Sequence, residues 1–293
     1  MTGSGRVMVF SKLGIFLNMI KFEHTLFALP FAYVGAFLTE MKIPSTHDLL
    51  YITLAMIGAR TAAMSLNRII DRRIDARNPR TAGRALPRGL LSASEVWLYV
   101  FLSFCLLLYS SYQLSPLAFR LFPVAVLVLL VYSYTKRITW TCHLLLGAAL
   151  GLAPLGSWIA IAGRFDLAPV LLMLGVLFWV AGFDIIYACD DYEFDRREGL
   201  YSIPACFGIK RALDISIFFH ILAPLFFIAA GLILDAGVFY LAGVVIAVVI
   251  LIYQHLLVKP DDFSQAGIAF FNLNGTLSVI MLLFTFLEVI CPL

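Results

Sequence analysis

Charged residues are scarce in this sequence: Asp, Glu, Lys and Arg make up 13% of its 293 residues, whereas 62% are hydrophobic. A soluble globular domain carries roughly 25% charged residues, so an ordinary water-soluble fold is excluded. Long apolar runs recur along the whole chain. They predict an all-α, polytopic membrane protein, because lipid cannot satisfy the backbone groups of more open structures. The lipid bilayer is therefore an expected partner, and nucleic acid is not.

Cysteine pairs, a leader peptide and linkers are missing as well. The five cysteines are odd in number and scattered, without a C-x-x-C spacing, which argues against a disulfide framework or a zinc site. No small-residue cleavage pattern follows the first apolar run, so we expect no cleaved signal peptide. Because no Pro- or Ser-rich stretch interrupts the chain, residues 1–293 are predicted to form one membrane domain.

Nine apolar segments are predicted as transmembrane helices. The loops between them alternate in basic character: apart from Arg60, only Lys42, Arg120 and Arg164 lie on the side opposite the remaining Lys and Arg residues. The positive-inside rule therefore predicts a cytoplasmic N-terminus. The nine segments are residues 22–40, 49–70, 94–114, 117–134, 139–162, 166–187, 211–233, 236–258 and 266–292.

A row of polar residues closes the second apolar segment, with the sequence N-R-I-I-D-R-R-I-D. Asn67, Asp71 and Asp75 follow one another at intervals of four residues. On a helix this spacing puts all three on one stripe that rises about 6 Å at each step. Neighbouring carboxylates are unstable without cations between them, and hard oxygen ligands of this kind suit Mg²⁺ and a diphosphate.

A second acidic row closes the sixth apolar segment. Asp184, Tyr187, Asp191 and Asp195 are spaced i, i+3, i+7 and i+11, which predicts another single stripe on a helix. Any one of these Asp residues alone is better explained as a surface charge or a helix cap. Two such rows on the same side of the membrane favour a shared cation site. Asp184 lies one turn inside its apolar run, where an ionisable residue is expensive and marks function.

Basic side chains near these rows are candidates for binding anions. Arg60 lies seven residues before Asn67 on the same helix face, so it is either the anchor for a substrate carboxylate or part of a structural ion pair. The arginines Arg72, Arg80 and Arg84 can hold phosphate oxygens with their planar forks. Contact of the same loop with anionic lipid is the simpler alternative.

Two further polar clusters lie at predicted membrane boundaries. Tyr132 and Lys136, four residues apart, are followed by Arg137. Next to the acidic rows, this cluster is placed to neutralise a leaving phosphate, although interfacial aromatic and lysine residues are common at such positions. His24 adjoins Glu23 and is either an interfacial residue or a polar contact for an aromatic ligand.

Taken together, these motifs resemble the UbiA superfamily of intramembrane prenyltransferases. The resemblance is carried by N-x-x-x-D-x-x-x-D from Asn67, Y-x-x-x-K from Tyr132 and D-x-x-Y-x-x-x-D-x-x-x-D from Asp184, in that order over most of the chain. The flanks N-P-R-T-A-G-R-A-L-P-R-G and K-F-E-H-T-L-F-A-L-P-F resemble the 4-hydroxybenzoate polyprenyltransferases of bacterial quinone pathways. The resemblance implies nine helices around a central cavity, in a bacterial inner membrane, with the active site facing the cytoplasm.

The resemblance also implies a reaction. Two Mg²⁺ ions would join the acidic rows to a polyprenyl diphosphate, basic side chains would take the phosphate charge, and a small aromatic acid would attack the allylic carbon. Either Asp191 or Asp184 would remove the ring proton. The implied Mg²⁺ ligands are Asp71, Asp75, Asp191 and Asp195, with Asn67; the diphosphate contacts are Arg72, Tyr132, Lys136, Arg137, Arg80 and Arg84; the acceptor contacts are Arg60, Asn67, Tyr187 and His24.

Alternatives remain open at this point. The acceptor can be 4-hydroxybenzoate, as in ubiquinone biosynthesis, or 1,4-dihydroxy-6-naphthoate, as in menaquinone biosynthesis. Haem or a lipid glycerol phosphate is a further acceptor class. A cation-coupled transporter is the competing function, but it predicts charges near the bilayer midplane and broken helices. The acidic residues here gather at one face instead.

Overall fold

A computed structural model describes residues 12–21, 28–258, 263, 267 and 269–292. Every regular element among these residues is helical, which confirms the predicted all-α class. The helices are α1 (12–19), α2 (Leu29–Leu38), α3 (Thr46–Asp75), α4 (Ala93–Leu114), α5 (Pro116–Thr135), α6 (Cys142–Ala162), α7 (Leu167–Ala188), α8 (Tyr192–Glu198), α9 (Ile203–Phe207), α10 (Ile209–Ile233), α11 (Val238–Leu257) and α12 (Asn274–Ile290).

Eight helical spans in the described ranges are long and apolar enough to cross a membrane, so the chain is a multi-pass membrane protein. The prediction of nine spans is not confirmed. At the first predicted segment the described helix, α2, has 10 residues. It is therefore about 15 Å long, which is half of a hydrocarbon core of about 30 Å. Sidedness and the single-domain boundary stay predictions.

Local sequence explains where several helices begin. Ser45 caps α3, because its Oγ accepts a hydrogen bond from the Asp48 backbone N–H at 3.1 Å. Ser92 and Glu95 form a reciprocal capping box at the start of α4. Ser115 caps α5 directly before Pro116, a residue suited to the first helical turn. These caps fix where α3, α4 and α5 begin.

Glycines permit close packing between the membrane helices. A Cβ at Gly147 of α6 would lie 2.3 Å from the carbonyl oxygen of Leu177 in α7. A Cβ at Gly35 of α2 would lie at the same distance from the carbonyl oxygen of Pro154 in α6. Because lipid gives no hydrophobic drive for helix association, such small residues stabilise the bundle by letting backbones approach.

The main apolar core joins α2, α7, α10, α11 and α12. Phe31 is fully buried, with its ring centroid 5.0 Å from that of Trp179 and 5.5 Å from that of Phe227. The Trp179 indole N–H donates to Asn274 Oδ1 at 2.8 Å, so the polar atom within this core is paired. Helices α3 to α5 form the opposite wall, and a large cavity lies between the two parts.

The second acidic row corrects the sequence prediction of one uninterrupted helix. Helix α7 ends at Ala188, a 3₁₀ turn covers Cys189–Asp191, and α8 begins at Tyr192. Asp191 has φ −95° and ψ 5°, outside the helical region. Three residues of 3₁₀ geometry turn the chain about 60° further than an α-helix would. Asp184, Asp191 and Asp195 nevertheless all line the same cavity.

Candidate active site

The cavity has a volume of about 1230 Å³ and contains both acidic rows in its wall. One end is lined by Asp71, Asp75 and the loop that follows α3. At the other end, the lining includes Ser111 near the end of α4 and Ala118 near the start of α5. On α3 alone the lining runs from Ile52 to Asp75, a distance of about 35 Å along the helix. A charged mouth thus continues into a long, mainly apolar interior.

Asp71 is the most heavily compensated acid in this mouth. Its side chain is 2% exposed, with Lys136 Nζ 2.5 Å from Oδ2 and Arg137 Nη2 2.8 Å from Oδ1. Asn67 Nδ2 donates to Oδ2 at 3.3 Å. A buried carboxylate requires such partners, because the loss of its hydration is otherwise uncompensated. Two cations and an amide therefore compensate the buried carboxylate of Asp71.

Asp75 lies one turn further along α3 and has an incompletely satisfied carboxylate. Arg84 Nη1 is 2.7 Å from Oδ1, and the Thr81 hydroxyl donates to the Asp75 backbone carbonyl at 3.0 Å. The second oxygen, Oδ2, is buried and accepts no hydrogen bond from the described part of the chain. An orphaned carboxylate oxygen of this kind has unused capacity for a cation.

Arg80 connects the basic loop to the second acidic row. Its Nε donates to Asp191 Oδ1 at 2.9 Å, its Nη2 pairs with Oδ2, and its Nη1 donates to the Tyr187 hydroxyl. The guanidinium also lies 4.8 Å from the centroid of the Tyr187 ring. Asn78 Nδ2 donates to Asp191 Oδ1 at 3.0 Å. Burial lowers the pKa of Arg80, but the hydrogen bond and charge of Asp191 outweigh it and raise the pKa above its ordinary value.

Asp184 has a partner that sequence reasoning did not identify. His143 Nδ1 is 2.7 Å from Asp184 Oδ2, and both residues line the cavity. The backbone N–H of Ile203 donates to His143 Nε2 at 3.2 Å. His143 was given no role from the sequence, because no metal-ligand spacing or neighbouring acid surrounds it there. The sequence does not show that the start of α6 packs against α7, and this packing is what brings His143 to Asp184.

Other predicted residues also line the cavity. Arg60 and Asp195 are in its wall, and Arg60 Nη2 donates to the Lys21 carbonyl oxygen at 3.5 Å. Tyr132 lines the cavity too, but its hydroxyl donates to the Ala63 carbonyl oxygen at 3.0 Å. That contact holds α5 against α3, so Tyr132 contributes its ring to the wall while its hydroxyl is engaged by the backbone.

Three predicted contacts have different positions from those expected. Arg72 is exposed on the outer side of α3 and lines a separate groove, because its place in the helix turns it about 100° from Asp71. Arg137 lines the same outer groove, and its Nη2 donates to Asp71 Oδ1 from that side of α3. Helix α5 ends at Thr135, so Lys136 lies at its C-cap rather than within the helix. His24 lies outside the described residues.

The acidic mouth is chemically suited to Mg²⁺. Its ligand atoms are carboxylate and amide oxygens, the donors that hard divalent cations prefer, and Asp75 Oδ2 has no other partner among the described residues. Within these residues, no three His, Cys, Asp or Glu side chains are already gathered around one ion position. Basic side chains occupy the carboxylates instead. An ion would therefore have to replace some of these pairs.

Comparison with known proteins identifies what this architecture is similar to. The family model described as "UbiA prenyltransferase family" matches residues 28–276. A 4-hydroxybenzoate octaprenyltransferase from Aliivibrio salmonicida is 30% identical over 81% of this chain and 83% of its own length. The protein of the same name from Shewanella piezotolerans is 27% identical over 90% of this chain and 92% of its own.

Solved structures give the same result for the fold. The apo structure of a UbiA homolog from Aeropyrum pernix K1 superposes with a TM-score of 0.79 at 33% identity, covering 92% of this chain and 97% of that one. A UbiA homolog from Archaeoglobus fulgidus bound to DMAPP and Mg²⁺ has a TM-score of 0.71 at 20% identity, covering 94% of this chain and 99% of its own. The second likeness concerns the fold alone.

Proposed function

The chain belongs to the UbiA prenyltransferase family and is a membrane-embedded prenyltransferase; from this premise we propose that it transfers a polyprenyl group from polyprenyl diphosphate to a ring carbon of an aromatic acid. The proposed acceptor is 4-hydroxybenzoate and the proposed cofactor is Mg²⁺. The proposed place of reaction is the cytoplasmic side of a bacterial inner membrane, where the basic loops lie under the positive-inside rule.

One observation carries this proposal: a single cavity, about 35 Å long on α3, joins a mouth of carboxylates and cations to a mainly apolar interior. A polyprenyl diphosphate has the same division, with a doubly charged head and a long hydrocarbon tail. The interior of the cavity would shelter the tail and keep water away from the allylic carbon, since water would otherwise capture the developing cation.

In this proposal, Asp71, Asp75, Asp191 and Asp195, with Asn67, hold Mg²⁺ at the diphosphate. The bound ions would stabilise negative charge on the departing diphosphate. Lys136, Arg80 and Arg84 already contact three of these carboxylates, and they would turn to the phosphate oxygens once Mg²⁺ neutralises the acids. Such preorganised cations act where charge develops, in a site shielded from water. Arg72 faces outward, so this proposal gives it no contact with the diphosphate.

Arg60 is the proposed anchor for the acceptor. It lines the cavity eleven residues before Asp71, which places it about 16 Å deeper along α3. A guanidinium at that depth fits a carboxylate, because the two groups form a charge-assisted, planar pair. The acid would then lie with its ring between Arg60 and the mouth, where the allylic carbon of the donor ends. Asn67 and Tyr187, which also line this stretch, are the proposed polar contacts of the ring.

Neighbouring aspartates offer a matched test of the metal site. Asp191 lines the cavity with its side chain 16% exposed, whereas the side chain of Asp190 is 49% exposed and lies outside the cavity lining. We expect Asp191→Asn to reduce prenyl transfer by more than about 100-fold, since even outer-shell partners of a metal ligand contribute about 10–100-fold. Asp190→Asn, the same chemical change one residue away, should leave transfer nearly unchanged. Equal activity in the two variants would refute the proposed site.

Acceptor identity needs a separate assay. Purified protein is incubated with labelled octaprenyl diphosphate and Mg²⁺, and receives 4-hydroxybenzoate, 1,4-dihydroxy-6-naphthoate or glycerol 1-phosphate in separate reactions. Labelled 3-octaprenyl-4-hydroxybenzoate is the expected product. Exclusive transfer to the naphthoate would redirect the proposal to menaquinone biosynthesis, and exclusive transfer to the glycerol phosphate would remove the role proposed for Arg60.

A further inference from the structure

Asp184 and His143 form a buried pair on the wall of the cavity, separate from the carboxylates assigned to Mg²⁺. His143 is 3% exposed, whereas the Asp184 side chain keeps 22% of its surface exposed. Asp184 Oδ2 lies 2.7 Å from His143 Nδ1. The cavity is thus open to the carboxylate, while the imidazole behind the carboxylate is enclosed.

The hydrogen bonds of His143 fix which nitrogen carries its proton. The Ile203 backbone N–H donates to Nε2 at 3.2 Å, so Nε2 presents its lone pair. The proton of the neutral ring must then be on Nδ1, from which it is donated to Asp184 Oδ2. This arrangement orients the carboxylate and engages only one of its oxygens.

The depth of Asp184 matches the place where a ring proton would be lost. Asp184 lies seven residues before Asp191 on the chain, about 10 Å deeper if measured along a helix. Arg60 lies about 16 Å deeper than Asp71 on α3. An acceptor ring that extends from Arg60 toward the mouth therefore passes Asp184 before it reaches the metal site. Asp191, the other candidate base, is held by Arg80 and Asn78 at the mouth itself.

We propose that Asp184 is the catalytic base that removes the ring proton, and that His143 is the positioning residue that holds it for this step. The proposal rests on the function proposed above. After the new bond to the allylic carbon forms, the C–H bond at the same ring carbon breaks. Its electron pair restores the aromatic ring, and the proton passes to Asp184 Oδ1, because Oδ2 is engaged by His143. A positioned base typically contributes about 10²–10⁴-fold to such a proton transfer.

The hydrogen bond from Ile203 also connects His143 to the segment that follows the second acidic row. Ile203 is the first residue of α9, after Ser202, whose Oγ accepts from the Ala205 N–H at 3.3 Å. This segment follows directly on α8, which carries Asp195. His143 therefore connects the base on α7 to the loop after the second acidic row, and its two hydrogen bonds can be removed one at a time.

Two substitutions separate these hydrogen bonds. The amide of Gln reaches the position of the His Nε2 atom, so His143→Gln retains an acceptor for Ile203 and loses the donor to Asp184. The shorter Asn reaches the position of Nδ1, so His143→Asn retains the donor to Asp184. Each variant and Asp184→Asn are assayed with 4-hydroxybenzoate carrying hydrogen or deuterium at the ring carbons beside the hydroxyl, and kcat and KM are compared.

The unmodified protein should show no isotope effect on kcat, because in this proposal Asp184 makes proton loss faster than cation formation. In Asp184→Asn, we expect kcat to fall by about 10²–10⁴-fold, KM for the donor to stay unchanged, and a primary isotope effect to appear. His143→Gln should show the same isotope effect with a smaller loss of kcat, and His143→Asn should return toward the unmodified protein. Thermal unfolding of each purified variant shows whether it is folded.

Several outcomes would overturn this inference. Asp184→Asn with unchanged kcat, or with a reduced kcat and no isotope effect, would assign the proton to another acceptor such as the departing diphosphate. An isotope effect in Asp184→Asn but not in His143→Gln would remove the role of His143. If His143→Gln does not fold, His143→Asn and Asp184→Asn still decide the base. Absence of transfer to 4-hydroxybenzoate by the unmodified protein would instead refute the proposed function.

Discussion

In the proposed metal site, Arg80 and a divalent cation would compete for the carboxylate of Asp191, and this competition predicts a measurable gain in metal affinity when Arg80 is replaced. In the ligand-free protein, Arg80 donates hydrogen bonds to both carboxylate oxygens of Asp191 and to the Tyr187 hydroxyl. A Mg²⁺ ion that binds Asp191 must first displace this guanidinium. Replacing Arg80 with Gln removes the competing charge. We therefore expect Arg80→Gln to bind Mg²⁺ more tightly than the unmodified protein in the absence of prenyl donor.

The size of the effect follows from the burial of the pair. Exposed ion pairs contribute about 0–1 kcal/mol, and charge-assisted hydrogen bonds contribute about 1.5–3 kcal/mol. The side chains of Arg80 and Asp191 are 31% and 16% exposed, so an intermediate contribution of about 1–2 kcal/mol is reasonable for this two-pronged contact. Its removal should lower the Kd for Mg²⁺ by about 5–30-fold.

The assay is thermal unfolding of detergent-purified protein over a series of MgCl₂ concentrations, because a ligand at concentration L that binds only the folded state stabilises it by RT ln(1 + L/Kd), so Tm rises with the ratio of ligand concentration to Kd. Arg73→Gln is the matched control: it makes the same charge change near the same membrane face, at an exposed residue that lines only the outer groove. An unchanged or weaker Mg²⁺ affinity in Arg80→Gln, relative to Arg73→Gln, would refute the idea that Arg80 occupies a metal ligand.

Three further predictions concern the acceptor, the metal and the packing. Arg60→Leu should raise KM for 4-hydroxybenzoate by about 10–100-fold, the loss expected for a hydrogen-bonded charged partner, while KM for the donor stays constant; equal changes in both constants would contradict the anchor role. Chelation of divalent ions by EDTA should abolish transfer and added Mg²⁺ should restore it, as product formation will show. Gly147→Ala should lower Tm, since its Cβ would lie 2.3 Å from the Leu177 carbonyl oxygen, whereas Gly156→Ala, with nothing within 4 Å of the new atom, should not.

The sequence was sufficient to predict the general layout of the protein. Long apolar runs predicted the helical membrane class, and the four-residue spacing of Asn67, Asp71 and Asp75 predicted that one helix face would carry them. That spacing is a property of the helix itself, so no distant contact was needed to interpret it. Both acidic rows line one cavity in the structure, as a shared cation site requires.

Contacts between distant parts of the chain could not be predicted in this way. Asn78 and Asp191 are 113 residues apart, and His143 and Asp184 are 41 apart. Only the packing of different helices brings each pair together. The 3₁₀ turn at Cys189–Asp191 contains no Gly or Pro that would have indicated a break. Arg72 and Arg80 look equivalent in the sequence, although Arg80 lines the cavity and Arg72 lies on the outer side of α3.

The basic partners of the carboxylates have a consequence for the empty enzyme. Lys136, Arg137, Arg84 and Arg80 pair with the carboxylates of Asp71, Asp75 and Asp191 without any bound ion. The protein can therefore fold and remain in the bilayer as a stable apoprotein, with its acids spared from mutual repulsion. In the proposed reaction, each catalytic cycle would be an exchange of counterions, in which the side-chain cations would move onto the phosphates of the donor and return to the aspartates after the inorganic product departs.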